Sequence, residues 1–124
     1  MKLREKQAIF WQYVGMLIVK AGILKTPIVI LEWTRTPQQQ ALNVAKGASK
    51  TMKSKHLEGL AIDIAFLDDL MDDGTLNYTP DAYKMLGEYW ESLDPNCRWG
   101  GRFGDDPNTD KIEGWDSGHY ELNL

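Results

Sequence analysis

Residues 58 to 66 read Glu-Gly-Leu-Ala-Ile-Asp-Ile-Ala-Phe, and their large and small side chains alternate with period two. Alternation of this kind marks a β-strand with two different faces, because successive side chains on a strand point to opposite sides. Leu60, Ile62, Ile64 and Phe66 turn towards a core, and Ala61, Asp63 and Ala65 towards the other face. The two small alanines leave space around the carboxylate, so Asp63 is displayed in a pocket. A strand like this belongs in the middle of a fold. At 124 residues, the chain has room for one domain around it, spanning 1–124, with one core and one site.

The flanking segments supply the other layers. Between residues 5 and 22, Ile9, Phe10, Tyr13, Val14, Leu17, Ile18 and Ala21 recur at spacings of three and four. That spacing predicts an amphipathic helix ending near Gly22 and packing on the sheet. Ile28 to Thr34 is β-branched and aromatic and lies between Pro27 and Pro37, which reads as a buried strand with Arg35 at its end. Thr36 to about Ala48 allows a short helix, followed by a loop rich in Gly, Ser and Lys that carries Lys46, Lys50, Lys53 and Lys55. Asp68-Asp69 and Asp72-Asp73-Gly74 form a polar connection. Tyr83, Leu86, Tyr89, Trp90 and Leu93 give Pro80 to Leu93 a helical stripe. Trp99 to Phe103 reads as a short strand with close backbone approach at its glycines, and His119 to Leu122 as the last strand. The expected fold class is α+β: a small antiparallel sheet with helices packed on one face and an open groove on the other.

Charge is distributed unevenly along the chain. Residues 1 to 55 hold ten Lys or Arg and two acids, whereas residues 56 to 124 hold four and sixteen, so the halves should attract one another. The cations are scattered over helix, strand and loop with no aromatic-and-basic reading motif, which argues against nucleic acid as a partner. Cys97 is the single cysteine, so an internal disulfide is excluded and the thiol reads as a small buried hydrophobe. Lys2, Arg4 and Lys6 precede an apolar stretch, but Glu5, Gln7 and Gln12 interrupt it and no small-x-small cleavage site ends it, so a signal peptide is not expected. No run reaches the roughly 20 apolar residues of a membrane span.

The chain has two histidines, each in a motif-like setting: Ser54-Lys-His56-Leu-Glu-Gly59-Leu-Ala61-Ile-Asp63 and Trp115-Asp116-Ser-Gly118-His119-Tyr-Glu121-Leu122. A catalytic zinc ion takes three protein ligands and leaves a fourth position for water. A regular strand would put His56 and Asp63 on opposite faces, but Gly59 permits a turn or bulge that brings His56 back beside Asp63. The pattern Ser-x-His-x-x-Gly-x-Ala-x-Asp followed by Asp-x-x-His-x-Glu-Leu resembles the zinc peptidases that cut bacterial cell-wall peptides. That family includes D-alanyl-D-alanine carboxypeptidases and phage L-alanyl-D-glutamate endopeptidases. The resemblance runs from about Phe10 to Leu122 and takes in Thr34-Arg35, the glutamines after it and the Trp-Gly-Gly segment.

The resemblance implies that His56, Asp63 and His119 bind one zinc ion and that Asp116 is the general base and acid. It further implies that Arg35 polarises the scissile carbonyl and that Ser54 holds the pocket or contacts substrate. Many relatives carry Glu at the base position, and Asp there resembles the compact phage endolysins. Glu121 is the alternative base; it shares a strand face with His119 and would otherwise support that ligand. The implied fold is hedgehog/DD-peptidase-like, without a separate cell-wall-binding domain. The implied activity is hydrolysis of the peptidoglycan stem peptide by a monomeric phage endolysin, first at the L-alanyl-D-glutamate bond. Such a protein would stay in the host cytoplasm until released to the wall, where the lysines from Lys46 to Lys55 help it dwell. The alternatives are a D-alanyl-D-alanine carboxypeptidase and a non-catalytic zinc-containing binding module. Asp106-Pro-Asn108-Thr-Asp110 also repeats the spacing that opens a calcium loop, although Lys111 stands at the glycine position and no closing Glu follows. A solvated turn is the leading reading there and Ca2+ at Asp106, Asn108 and Asp110 the second.

Overall fold

The apolar stripe near the N-terminus becomes the longest helix, α1 (Leu3–Ile23), in a computed structural model that describes residues 1–47, 53–74, 80–103 and 116–124. After it come β1 (Ile28–Glu32), α2 (Pro37–Ala45), β2 (Ala61–Phe66), α3 (Pro80–Leu93), β3 (Cys97–Trp99) and β4 (His119–Leu122). The strands form one four-stranded sheet in the order β1-β2-β4-β3, and every neighbouring pair is antiparallel. The chain is therefore α+β, and the alternating segment lies inside the sheet as β2.

One face of the sheet carries the core. Leu60, Ile62, Ile64 and Phe66 meet Phe10, Val14, Leu17 and Ala21 of α1 and Tyr83, Leu86 and Trp90 of α3. Burying a large apolar side chain of this kind contributes about 1.5–3 kcal/mol, so this layer supplies the main drive for folding. Trp90 also reaches through the layer, its indole N–H donating to the Glu121 carbonyl at 3.0 Å. In the same layer the Tyr83 hydroxyl accepts from the Phe66 amide at 3.1 Å. Cys97 lies here as a free, buried thiol. Burial, with Asp94 and Glu91 nearby, pushes that thiol up to about 12, so it is inert near neutral pH.

Three expectations need correction. Ile18 is 45% exposed: the buried residues Phe10, Val14, Leu17 and Ala21 centre the stripe, and Ile18 lies about 100° round the helix from Leu17. The segment from Ile28 is an edge strand, not a buried one, and it leaves Ile30 and Leu31 40% and 46% exposed. The strand expected over Trp99 to Phe103 occupies Cys97–Trp99 instead, and Gly100–Arg102 wind into a 3-10 turn. The attraction between the basic and acidic halves takes form as Arg35 beside Asp63 at 3.9 Å and Lys55 on Glu58 at 3.1 Å. Among the described residues, no helix is long and apolar enough to cross a membrane.

Candidate metal centre

His56 is delivered by a short 3-10 helix, Lys55–Glu58. Ser54 caps it, its hydroxyl accepting from the His56 amide at 3.3 Å, and Gly59 closes it in the left-handed region at φ 67°. A side chain at Gly59 would be strained there, and its Cβ would also lie 2.8 Å from Gln7 Nε2. This turn performs the reversal expected of Gly59 and carries His56 back to the open face of β2. The ring is buried, and its Nδ1 donates to the Trp33 carbonyl at 2.7 Å.

Asp63 and His119 stand directly opposite one another in the β2–β4 register, so their side chains share that face. His119 Nδ1 lies 3.0 Å from Asp63 Oδ1, and His56 Nε2 lies 3.2 Å from Asp63 Oδ2. One ligand atom from each of His56, Asp63 and His119 falls within 4.8 Å of the other two. The chemistry of these donors fits a cation. The Trp33 carbonyl can only accept, so the His56 proton sits on Nδ1 and Nε2 presents a lone pair. That Nε2 is buried and has no hydrogen-bond partner, yet it faces a carboxylate oxygen. Two electron-pair donors facing each other in a buried position are satisfied by a divalent metal between them.

The site's electrostatics follow from the same contacts. Burial alone would raise Asp63, but the hydrogen bond from His119 and the nearness of both imidazoles outweigh it and hold the carboxyl well below its ordinary range. Burial alone would lower His119. Its contacts with Asp63 and Glu121, reinforced by the charge of Asp116, lift it instead to about 10. Glu121 follows two residues after His119 on β4 and accepts from His119 Nε2 at 2.8 Å, the supporting position anticipated for it. Asp116 lies on the solvent side of the cluster, half-exposed, with Oδ2 3.6 Å from His119 Nδ1. Burial raises its carboxyl, as does Asp63, while His119, His56 and Arg35 pull the other way.

Arg35 is in the same cluster. Its Nη1 donates to Gln40 at 2.7 Å and reaches Ser54 Oγ at 3.5 Å, and its Nη2 pairs with Glu32 and lies 3.9 Å from Asp63 Oδ2. The structure thus brings Arg35, Ser54, His56, Asp63, Asp116 and His119 together. It adds Glu32, which the sequence did not single out, and selects the fully buried Gln40 from the glutamines after Arg35. An acid inside an apolar strand and a glutamine four residues after the Thr36 cap were the available signals. Phe103 packs beside the cluster, its ring 5.5 Å from that of His119. Lys50, Trp115 and the Asp106, Asn108 and Asp110 segment lie outside the described residues, and no finding supports calcium.

The Trp-Gly-Gly segment has a steric reason to carry glycine. A Cβ at Gly100 would come within 2.1 Å of the Asp116 carbonyl oxygen and 2.9 Å of His119 Cβ. Backbone atoms cannot swing aside, so Gly100→Ala is expected to cost about 1–3 kcal/mol by overpacking. It should also shift the turn that donates the His119 amide to Asp116 O at 2.9 Å. Thermal unfolding checks this, and a wild-type midpoint would show that the turn yields without cost.

Comparison with known proteins agrees with this fold. A model of the phage L-alanyl-D-glutamate peptidase family matches residues 14–123. An L-alanyl-D-glutamate peptidase of Listeria phage A118 is 39% identical over 74 residues, covering 60% of this chain and 25% of that protein, so the chain spans about a quarter of the relative's length. Among solved structures, the Serratia marcescens L-Ala D-Glu endopeptidase ChiX superposes with a TM-score of 0.53 at 24% identity, over 78% of this chain and 67% of that one. The vancomycin-resistance D,D-pentapeptidase VanY, solved with Zn(II), gives a TM-score of 0.54 at 20% identity over 93% and 71%. The two structures share the fold, and the family match covers the whole candidate metal centre: the chain belongs to the phage L-alanyl-D-glutamate peptidase family.

Proposed function

We propose that the chain is a zinc-dependent peptidase that hydrolyses the L-alanyl-D-glutamate bond of peptidoglycan stem peptides. The reading rests above all on one observation: the buried, unpartnered Nε2 of His56 faces Asp63, with His119 on the other side of that carboxylate. His56 Nε2, Asp63 and His119 Nδ1 would hold the ion, while Trp33 and Glu121 fix the two rings from behind. When bound there, zinc supplies Lewis acidity, lowering the pKa of water towards about 7 and polarising the peptide carbonyl.

The chain's own residues do the remaining work. Asp116 accepts a proton from the attacking water and returns it to the leaving amine; its raised pKa makes it a stronger base than an ordinary carboxylate. Arg35 meets the developing negative charge with a guanidinium already fixed by Glu32 and Gln40. Ser54 caps the His56 turn and steadies Arg35, which supports a pocket-holding role over direct substrate contact. Asp116 also favours an enzyme over a binding module, since a purely structural metal site needs no half-exposed base beside it.

Digestion of purified peptidoglycan, with the new termini identified by mass spectrometry, tests the reading. A new N-terminal glutamate is the expected product. Released D-alanine would reassign the protein as a carboxypeptidase, and an unchanged digest by zinc-loaded protein would leave only the binding module.

A further inference from the structure

Two carboxylates compete for Arg35. Asp63 lies 3.9 Å from Nη2, in a setting where the arginine side chain is 11% exposed and the aspartate 27%. Charges this poorly hydrated attract more strongly than a surface pair does, so a guanidinium left to itself would close onto Asp63. It does not close, because Nη2 is engaged by Glu32 and Nη1 by Gln40. Asp63 is left with one oxygen for each histidine, Oδ1 towards His119 and Oδ2 towards His56.

An irregularity in the sheet puts Glu32 where it can do this. Ile30 pairs with Ile64 but Glu32 pairs with Asp63, so Leu31 is an extra residue and β1 is bulged. In a regular ladder, Leu31 would stand opposite Asp63. The bulge turns Leu31 out to solvent and sets Glu32 on the face of the metal centre, where its Oε1 also comes within 3.7 Å of His56 Nδ1.

We infer that Glu32 is a positioning residue that holds Arg35 back from Asp63 and so keeps Asp63 available as a metal ligand. This rests on the zinc reading of the site. The role makes Arg35 harmful to zinc binding whenever Glu32 is missing, which a purely structural role for Glu32 would not do.

The test is zinc affinity, measured by chelator competition on wild type, Glu32→Ala, Arg35→Ala and the double variant. Glu32→Ala should weaken zinc by about 10–100-fold, the scale seen when a partner of a metal ligand is lost. Arg35→Ala in that background should restore most of the loss, although the double variant still lacks the cation needed for turnover. Wild-type zinc affinity in Glu32→Ala overturns the inference, as does a double variant that binds as weakly as the single one. If Glu32→Ala does not fold, Glu32→Gln carries the test: the neutral, isosteric side chain holds the guanidinium less firmly, so zinc weakens and removal of Arg35 restores it. Unchanged affinity in Glu32→Gln overturns the inference equally. A wild-type protein that takes up no zinc sinks the zinc reading and this inference together, whereas normal zinc binding in both Glu32 variants sinks this inference alone.

Discussion

Replacing Asp116 with alanine is expected to lower peptidoglycan hydrolysis by about 100- to 10,000-fold, the range that general acid and base catalysis contributes, while zinc stays bound. Metal retention is expected because Asp116 is not one of the three converging donors; its Oδ2 lies 3.6 Å from His119 Nδ1, on the outer side of the cluster. The loss of rate is expected because no described neighbour is free to replace it. Glu121, the rival base, is buried and committed to His119 Nε2 at 2.8 Å, with Arg98 3.6 Å from its other oxygen. Release of new N-terminal glutamate and zinc content, measured on one preparation, separate the two effects. Undiminished hydrolysis would remove Asp116 from the mechanism, and loss of both zinc and rate would make it a ligand.

Zinc affinity should rise by about tenfold per pH unit between about pH 7 and 9, a change of about 100-fold over that window. The sign follows from His119. In the metal-free protein both ring nitrogens face carboxylates, Asp63 on one side and Glu121 on the other, and the ring holds its proton up to about 10. Binding through Nδ1 must expel that proton, so each tenfold fall in proton concentration favours the complex tenfold until the ring deprotonates by itself. Titration calorimetry in buffers of different ionisation heat should count about one proton released per zinc at pH 8. A count near zero would mean that His119 meets the metal already neutral.

Much of this site was legible because its parts lie on regular periods. The alternation from Leu60 to Phe66 fixed which face Asp63 takes, and Gly59 announced the turn that returns His56 to it. Asp116 was implied by the family resemblance of the Asp-x-x-His motif, and it lies beside His119. Glu32 was hidden because its orientation depends on a bulge, and an unbroken apolar run from Ile28 to Leu31 carries no mark of where the ladder slips. Edge position was hidden for a similar reason: β-branched residues favour strands wherever they lie, and only the pairing partners decide which strand is outermost. Ile18 failed on helical phase, where one residue is enough to leave the stripe. At Trp99 to Phe103 the glycines signalled close approach correctly, but not that Gly100 meets the backbone of Asp116 and Gly101 the indole of Trp99, beyond the end of the strand.

The slip at Leu31 frees the side chain at that one position from the site, while Glu32 and Arg35 after it are tied to the site by their own contacts. Leu31 is largely solvent-facing, so exchange for another side chain there leaves the architecture intact. Deleting it would leave Glu32 opposite Asp63 in an even ladder, whereas adding or removing a residue between Glu32 and Arg35 would move the Trp33 carbonyl from its station behind His56. In a library of variants position 31 should therefore accept many side chains, while Glu32, Arg35 and the spacing between them should hold.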